Sequence, residues 1–253
     1  MSLSQLAADL SAAVLFCTRL PVPGAATITG TDIARAGWAL PIAGAIVGLI
    51  AAAVYWLARL ADVPPFPAAG LAMVASLVVT GCLHEDGLAD VADSFGASTR
   101  ERKLEIMRDS KIGTYGVCAL FMSLLLRSAA LATIADPALA APALVATHMA
   151  ARAGMPLFMR LVPPARDDGL SVGVGTPPRA SAIAAVLIGI VALGIGLGLA
   201  AGVCALALMT AAFVFLAWLC VRQIGGQTGD VLGALEQIAE IIVLLVAAAN
   251  MGG

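Results

Sequence analysis

Three aspartates follow one another at helical spacing in the stretch GCLHEDGLADVADSFG, which covers residues 81–96. Asp86, Asp90 and Asp93 stand at positions i, i+4 and i+7, so a helix would present all three carboxylates on one face. Like charges at this spacing repel each other unless a cation lies among them. Because Mg²⁺ and Mn²⁺ prefer hard oxygen ligands, and Mg²⁺ typically joins one or two carboxylates to substrate phosphates, the spacing predicts a divalent-cation site.

The aspartates open a charged segment, residues 84–111, which holds seven acidic and five basic residues. Within it, Glu105 and Asp109 form a second acidic pair at i, i+4, with Arg108 and Lys111 beside them. A solvated loop of alternating charge would explain much of this segment. It would not explain carboxylates at helical period that continue directly out of an apolar run.

A glycine-rich stretch, GGQTGDVLGALEQIAE at residues 225–240, is the second group of interest. Glycines let backbone N–H groups approach an anion closely, and a helix is predicted to begin near Asp230. The positions that would contact such an anion are Gly225, Gly226, Thr228 and Gly229. The alternative, that the glycines serve helix packing and a polar side chain caps the helix, stays open.

Further ionisable residues fall within apolar segments, where they are costly and usually face a cavity or a partner. Glu240 lies in the last such segment, and His148 and Arg152 are one helical turn apart in an earlier one. Arg152 and Glu240 are predicted to bind substrate, Arg152 through a phosphate. For His148 and Arg127, both a functional and a packing role remain open.

The elements that must position these residues are membrane helices, because 61% of the 253 residues are hydrophobic and only 12% are charged. We expect one all-α polytopic membrane domain over residues 1–253, with an interfacial or half-buried helix at residues 6–17 and no cleavable targeting segment. About seven spans are predicted, at residues 38–58, 67–83, 112–134, 138–158, 180–200, 203–221 and 232–250. The long uncharged stretch before Cys220 is expected to turn near Gly202.

Composition also limits the partners. The net charge of −2 gives no reason to expect nucleic acid binding, and the five cysteines are scattered singly without metal-binding spacing. Small-residue patterns at Gly44–Gly48 and Gly194–Gly198 allow close helix packing within or between subunits, so a homo-oligomer is left open.

The basic residues orient the chain. With these spans, one side of the membrane receives residues 84–111, 159–179 and 222–231, whereas the other receives Arg59 and little else. By the positive-inside rule, the charged side is cytoplasmic, which places every polar motif on the cytoplasmic face of the membrane.

Two functions fit this arrangement. Carboxylates that hold a divalent cation against a pyrophosphate, with basic residues neutralising the leaving phosphate, are typical of phosphotransfer. An ion- or proton-coupled transporter would instead distribute its carboxylates through mid-span positions or interrupted helices. Because nearly all acidic groups lie at one face, the sequence favours the enzyme.

The motifs GCLHEDGLADVAD, LEIMRDSKIGTYG and GGQTGDVLGA, in this order, resemble the cobalamin synthase family. FCTRLPVPG near the N-terminus, the pattern at Pro41–Gly48 and ARDDGL at 165–170 resemble it too, so the resemblance covers nearly the whole chain. It implies a multi-pass inner-membrane enzyme that joins adenosylcobinamide-GDP to α-ribazole, or its 5′-phosphate, with Mg²⁺ as cofactor and GMP as product. This reaction belongs to the last steps of coenzyme B12 synthesis.

Matched to that family, the motifs imply roles for individual residues. The implied Mg²⁺ ligands are Asp86, Asp90, Asp93 and Asp230. The implied catalytic residues are His84 as proton acceptor, for which an aspartate is the alternative, and Arg108 and Lys111 at the departing GMP. The implied substrate-binding residues are Glu105, Asp109, Gly225, Gly226, Thr228, Gly229 and Glu240, which join Arg152 from the analysis of the apolar segments. Gln237 stands where the family suggests glutamate, which argues against a role for Glu236, and Cys82 stands where glycine is common.

Overall fold

The computed structural model describes residues 2–22 and 28–252, and the ordered elements in these ranges are helices. Pro23 and Gly24 of the FCTRLPVPG motif lie outside the described residues. The helices are α1 (Leu3–Cys17), α2 (Gly30–Arg35), α3 (Leu40–Leu60), α4 (Pro65–Thr80), α5 (Leu83–Ser94), α6 (Arg100–Ile106), α7 (Thr114–Ile134), α8 (Pro137–Ala153), α9 (Met155–Leu161), α10 (Leu170–Val174), α11 (Arg179–Leu197), α12 (Leu199–Ile224) and α13 (Gly229–Met251). A short 3-10 turn, Ala36–Ala39, joins α2 to α3.

The predicted all-helical membrane fold is confirmed. Five helical segments of the described chain are long and apolar enough to cross a bilayer, namely Gly30–Leu60, α7, α11, α12 and α13. The number rises to six if the bent pair of α4 and α5 is counted as one broken span. The shorter apolar helix α1 precedes them, as the sequence predicted.

Two of the seven predicted spans are not continuous long helices in the structure, which is why the count is five or six. Residues 138–158 form α8, of 17 residues, and the separate α9, because Pro156 has no N–H to continue the helical hydrogen bonds. Residues 67–83 are interrupted after Thr80, where Gly81 and Cys82 adopt left-handed conformations with φ of 64° and 58°. The chain then continues as α5, and the axes of α4 and α5 are bent by 93° relative to each other.

The predicted turn near Gly202 is wrong by four residues. Helix α11 ends at Leu197, and Gly198 makes the turn with a φ of 80°, a conformation that favours glycine. Gly202 lies inside α12, where it packs closely on α11: a Cβ at this position would be 3.1 Å from the Leu193 carbonyl oxygen.

Small residues bring α3 and α8 into close contact within one chain. A Cβ at Gly44 would lie 2.2 Å from the carbonyl oxygen of His148, and one at Gly48 would lie 2.7 Å from Cα of Val145. The pattern at Gly44–Gly48 therefore serves packing inside the subunit. The position of Gly194 is open, because a Cβ there would meet no described atom within 4 Å.

Two apolar cores hold the bundle together, and α13 contributes to both. Val231, Leu232 and Leu235 of α13 belong to one core, whereas Val243 and Leu244 belong to the other. Between these two sets, α13 carries the buried polar residues Glu236, Gln237 and Glu240. The two apolar layers thus leave room along α13 for a polar layer.

Candidate functional site

Helices α5 and α13 approach each other closely, and this contact brings the two main motifs together. A Cβ at Gly87 would lie 2.7 Å from the backbone oxygen of Asp230, and one at Gly233 would lie 3.0 Å from that of His84. Any larger side chain at Gly87 would push α5 off α13. The glycines therefore set the distance between the aspartates of α5 and the start of α13.

We call Asp86, Asp90 and Asp230 the carboxylate face. Asp86 is exposed, Asp90 is half-buried, and the side chain of Asp230 is 19% exposed. Helix α5 has 12 residues, too few to cross a bilayer. Burial raises the pKa of Asp90 to about 7, and the neighbouring carboxylates of Asp86, Asp230 and Asp93 add to the rise. This mutual repulsion is the property that the spacing in the sequence predicted.

Asp93 has a different environment from the other aspartates of α5. Its two carboxylate oxygens accept hydrogen bonds from the backbone N–H groups of Gly113, at 2.6 Å, and Gly116, at 2.8 Å. These groups lie at the beginning of α7, where helical N–H groups lack intrahelical partners. Asp93 therefore caps α7, and its role as a metal ligand stays a prediction.

The carboxylate face suits a cation that is completed by substrate. Within the described residues, His148, Glu236 and Glu240 alone offer three ligand atoms within 4.8 Å of one another, and none of these residues was a predicted ligand. A closed protein cage around Mg²⁺ is therefore not preformed at the aspartates. Because Mg²⁺ typically takes one or two carboxylates together with phosphate oxygens, the hard donors of Asp86, Asp90 and Asp230 still fit it.

Three connecting segments meet beside the carboxylate face. Arg100 donates from Nε to the carbonyl oxygen of Ile224, at 2.8 Å, and from Nη2 to that of Ala165, at 2.7 Å. Gln227 exchanges backbone hydrogen bonds of 2.8 Å with Pro163 and Ala165. The predicted active-site segments 84–111, 159–179 and 222–231 are thus in direct contact.

The glycine-rich turn before α13 is shaped by this contact. A Cβ at Gly226 would lie 2.1 Å from the carbonyl oxygen of Pro163, so only glycine fits there. Gly225 has a φ of 85° and ends α12. Thr228 caps α13 by accepting from the Val231 N–H at 3.3 Å, and its hydroxyl donates to Asp230 at 3.0 Å. The turn therefore has structural roles, and anion binding by its N–H groups, including that of Gly229, stays a prediction.

The residues of the second motif lie at the surface near this junction. Arg108 forms an ion pair with Asp168, with Nη2 2.5 Å from Oδ1, and Glu105 pairs with Arg102 at 2.7 Å. Asp109 accepts from the backbone N–H of the exposed Lys111 at 3.3 Å. The four predicted residues of this motif all lie at the surface, and their roles toward substrate stay predictions; they are Glu105, Arg108, Asp109 and Lys111.

A cavity of about 570 Å³ opens between α6 and the loop after α9, and we call it the arginine cavity. Its charged lining residues are Arg100, Arg108, Arg166, Asp167 and Asp168. A second cavity, of about 210 Å³, lies below the carboxylate face, and we call it the apolar cavity. Leu40, Met155 and Leu232 contribute to its wall, which His84, Asp86, Asp230 and Arg166 complete. Asp86 and Asp230 thus face a space that is large enough for a small organic group.

His84 lies in the wall of the apolar cavity but is only 2% exposed. Its Nδ1 is 3.5 Å from Nη2 of Arg152 and 3.8 Å from Oε1 of Glu236. The other ring nitrogen, Nε2, is buried and has no hydrogen-bond partner among the described residues. His84 therefore stands between the apolar cavity and the polar layer beneath it.

That polar layer is a fully buried group of ion pairs, which we call the buried network. Arg127 of α7 contacts Glu85 of α5 at 3.3 Å and Glu240 of α13 at 2.5 Å. Arg152 of α8 contacts Glu236 at 2.6 Å and Glu240 at 3.2 Å. The network therefore joins four helices through two guanidinium groups.

His148 and Gln237 complete the buried network. Nδ1 of His148 lies 2.6 Å from Oε1 of Glu240, so this nitrogen donates. The side-chain amide of Gln237 donates to Glu85 and Glu236, each at 3.0 Å, and its oxygen accepts from Ser123. An amide here supplies donors to two carboxylates, which a glutamate would repel.

The buried network changes the interpretation of several residues. Arg152 and Glu240, predicted to bind substrate, are 1% and 2% exposed and are already paired with protein groups. Contrary to the expectation from Gln237, Glu236 has a clear partner in Arg152. Its spacing of i, i+4 to Glu240 inside an apolar segment was the available signal. The sequence carried no such signal for Glu85, which is adjacent to Asp86 but lies on another face of the helix.

Comparison with known proteins agrees with the resemblance of the motifs. Relatives named adenosylcobinamide-GDP ribazoletransferase include proteins from Bradyrhizobium diazoefficiens, Mesorhizobium japonicum and Azorhizobium caulinodans. They are 54%, 49% and 42% identical to this chain, over 97%, 98% and 96% of it and 95%, 95% and 96% of the relatives. No solved structure matches. The family model described as Cobalamin-5-phosphate synthase matches residues 9–248, and the chain belongs to that family.

Proposed function

We propose that this protein joins adenosylcobinamide-GDP to α-ribazole, or to α-ribazole 5′-phosphate, in a Mg²⁺-dependent reaction that releases GMP. The names of its relatives support the activity. The observation that carries the proposal is the carboxylate face itself. Asp86 and Asp90 of α5 lie beside Asp230 of α13, and Arg166 lies next to them at the edge of two cavities.

The proposed reaction is a displacement at phosphorus. The 5′-oxygen of ribazole forms a bond to the phosphorus that carries cobinamide, and the bond from this phosphorus to the oxygen of the GMP phosphate breaks. The hydroxyl proton passes to a base on the protein, and GMP leaves with the bonding electrons. Positioning and charge neutralisation supply most of the rate of such reactions.

The residues of the carboxylate face would hold Mg²⁺, which when bound supplies positive charge to the pyrophosphate. The bare carboxylates of Asp86, Asp90 and Asp230 would otherwise repel that pyrophosphate. Arg166 is the positive side chain next to Asp230, with its Nη2 3.6 Å from Oδ2. Arg108 lines the arginine cavity, where it would meet the departing GMP; Lys111, which is exposed and does not line this cavity, is the alternative.

His84 is the proposed proton acceptor, and its position sets a condition on this role. Because Nδ1 faces Arg152 and Glu236, the nitrogen available to substrate is the buried Nε2. The imidazole would have to turn slightly toward the apolar cavity to reach a hydroxyl there. Asp86 is the alternative base, since its carboxylate is exposed at the same cavity.

The proposed site faces the cytoplasm from the inner membrane. Segments 84–111, 159–179 and 222–231 carry most of the basic residues and contact one another. This clustering supports one charged side, which the positive-inside rule makes cytoplasmic. Labelling of a single cysteine introduced at Arg102 in right-side-out and inverted vesicles, with the exposed native cysteines replaced, tests the orientation.

The proposed activity is tested with the purified full-length protein in detergent. Adenosylcobinamide-GDP is incubated with α-ribazole or its 5′-phosphate, with and without Mg²⁺, and both GMP and the cobalamin product are measured. We expect equal amounts of the two products, only with Mg²⁺. Ion or proton flux in sealed vesicles without GMP release would instead support the transporter.

A further inference from the structure

Arg166 belongs to the ARDDGL motif at residues 165–170 but received no role from the sequence, and it occupies a distinctive place. Arg166 lines both the arginine cavity and the apolar cavity. Its side chain is 13% exposed, and Nη1 is buried without a hydrogen-bond partner among the described residues. Nε is 3.6 Å from Asp168 and Nη2 is 3.6 Å from Asp230, both longer than a hydrogen bond. A buried guanidinium with free donors is costly unless an anion completes it.

The backbone that carries Arg166 is held firmly. Ala165 donates its N–H to the Gln227 carbonyl at 2.8 Å, and its own carbonyl accepts from Arg100 at 2.7 Å. Gly169, with a φ of 95°, leaves room for the guanidinium, because a Cβ there would lie 3.2 Å from Nε and Nη2 of Arg166. The backbone at Arg166 is thus held in place by Gln227 and Arg100, while its guanidinium keeps donors free for a phosphate.

The arginine cavity continues outward from this guanidinium. Asp168 is neutralised by Arg108, whereas Asp167 makes no ion pair among the described residues. The volume of about 570 Å³ falls within the range of small-molecule sites. A free carboxylate at the rim can accept hydrogen bonds from the N1–H and the 2-amino group of guanine, which adenine does not offer in this pattern.

Resting on the proposed function, we infer that the arginine cavity binds the guanosine monophosphate end of the donor, with Arg166 on its phosphate and Asp167 on its guanine. The apolar cavity then takes the acceptor nucleoside, since its 210 Å³ and apolar wall suit a flat aromatic base. Arg166 would mark the border between the two, next to the phosphorus that is attacked.

The test measures binding of GDP, without ribazole, to the full-length protein in detergent with Mg²⁺. We expect Arg166→Ala to weaken GDP binding about ten- to hundredfold, as for the loss of a charge-assisted contact, and Arg166→Lys to restore part of it. Arg102→Ala is the matched control, because Arg102 is an exposed arginine of α6 that pairs with Glu105 outside the cavity. Its GDP affinity should equal that of wild type.

Asp167→Asn tests the base contact through the ratio of GDP to ADP affinity. We expect wild type to prefer GDP about tenfold or more and the variant to lose most of that preference. The assignment is overturned if folded Arg166→Ala and Arg166→Lys bind GDP like wild type, or if wild type does not distinguish GDP from ADP. Absence of cobalamin formation together with Arg166-dependent GDP binding would reject the proposed reaction and keep this site. Cobalamin formation with unchanged GDP binding in the variants would support the proposed reaction and reject this site.

Discussion

Two groups of charged residues draw on the same helices, α5 and α13, and they differ in how their charges are balanced. In the buried network, three carboxylates meet two guanidinium groups and an imidazole, all from the protein. On the carboxylate face, Asp86 and Asp90 form no ion pair with a described residue, and Asp230 has only Arg166, at 3.6 Å. The carboxylates of the first group all have basic partners within the protein, whereas those of the second do not.

Neighbours in the sequence are divided between these groups. Glu85 points into the buried network, whereas Asp86, the next residue, is exposed on the carboxylate face. Helix α13 likewise gives Asp230 to one group and Glu236 to the other. Charge density along the chain therefore does not identify the site. The informative property is whether a carboxylate has a protein partner in space.

Substitution in the buried network should have the largest effect, and it should be on stability. Arg152→Ala leaves Glu236 and Glu240 buried without their shared guanidinium, and we expect a loss of about 3–5 kcal/mol in the free energy of unfolding. Unfolding in detergent, followed by helical circular dichroism, measures the loss. Arg102→Ala, at a pair that is more than half exposed, should cost about 1 kcal/mol or less. Equal costs would remove the distinction between the two kinds of ion pair.

His84 lies at the boundary, so its substitution shows to which region it belongs. If it accepts the proton, His84→Ala should lower the turnover number about 10²–10⁴-fold with little change in the KM for either substrate. The unfolding midpoint should fall only by the cost of the cavity that the buried ring leaves, because its polar contacts to Arg152 and Glu236 are long. A variant that unfolds early but turns over normally at low temperature would place His84 in the network instead.

Substitution on the carboxylate face should affect activity and spare stability. Asp90→Asn keeps the size of the side chain but removes a charge from the proposed Mg²⁺ site, and we expect turnover to fall about 10²–10³-fold. The Mg²⁺ concentration for half-maximal rate should rise. Asp62→Asn, in the exposed turn after α3, is the control.

Activity that survives intact in Mg²⁺ after Asp90→Asn would remove Asp90 from the proposed ligands. A marked fall in the unfolding midpoint would show that the carboxylate of Asp90 has a structural role.

Asp93 lies next to the carboxylate face but has two protein partners. Its substitution should therefore lower stability, as substitutions in the buried network do. Asp93→Ala removes the cap of α7 and should lower the free energy of unfolding by about 1–2 kcal/mol. The Mg²⁺ dependence of the remaining activity should match that of wild type. A shifted Mg²⁺ requirement would instead assign Asp93 to the cation, as the spacing in the sequence predicted.

The smallest effect is expected at the bend that separates α4 from α5. Cys82 has a φ of 58°, which disfavours residues with a Cβ, so Cys82→Gly should raise the free energy of unfolding by about 1 kcal/mol or less. Cys118→Gly, inside α7, should lower it by about 1 kcal/mol. The two unfolding midpoints should move in opposite directions. A decrease in both would show that the packing of the Cys82 side chain stabilises the protein by more than its backbone strain costs.

The sequence predicted the fold class because membrane helices are encoded locally, as runs of apolar residues. It also predicted the repulsion among Asp86, Asp90 and Asp93, since their helical spacing places them on one face, and Asp230 of α13 adds to it. It missed the break before Met155 and the turn at Gly198, where one proline or glycine decides the boundary. It also missed Glu85, Glu236 and Arg166, because their roles depend on partners more than 40 residues away in the chain.

The shared guanidinium groups of the buried network restrict how the chain can vary over evolution. Each arginine forms ion pairs with two carboxylates, so replacing one member leaves the others buried without a charged partner. Viable change would have to occur as coordinated exchanges across α5, α7, α8 and α13. Correlated substitution among Glu85, Arg127, Arg152, Glu236 and Glu240 in related chains is the expected trace of that restriction.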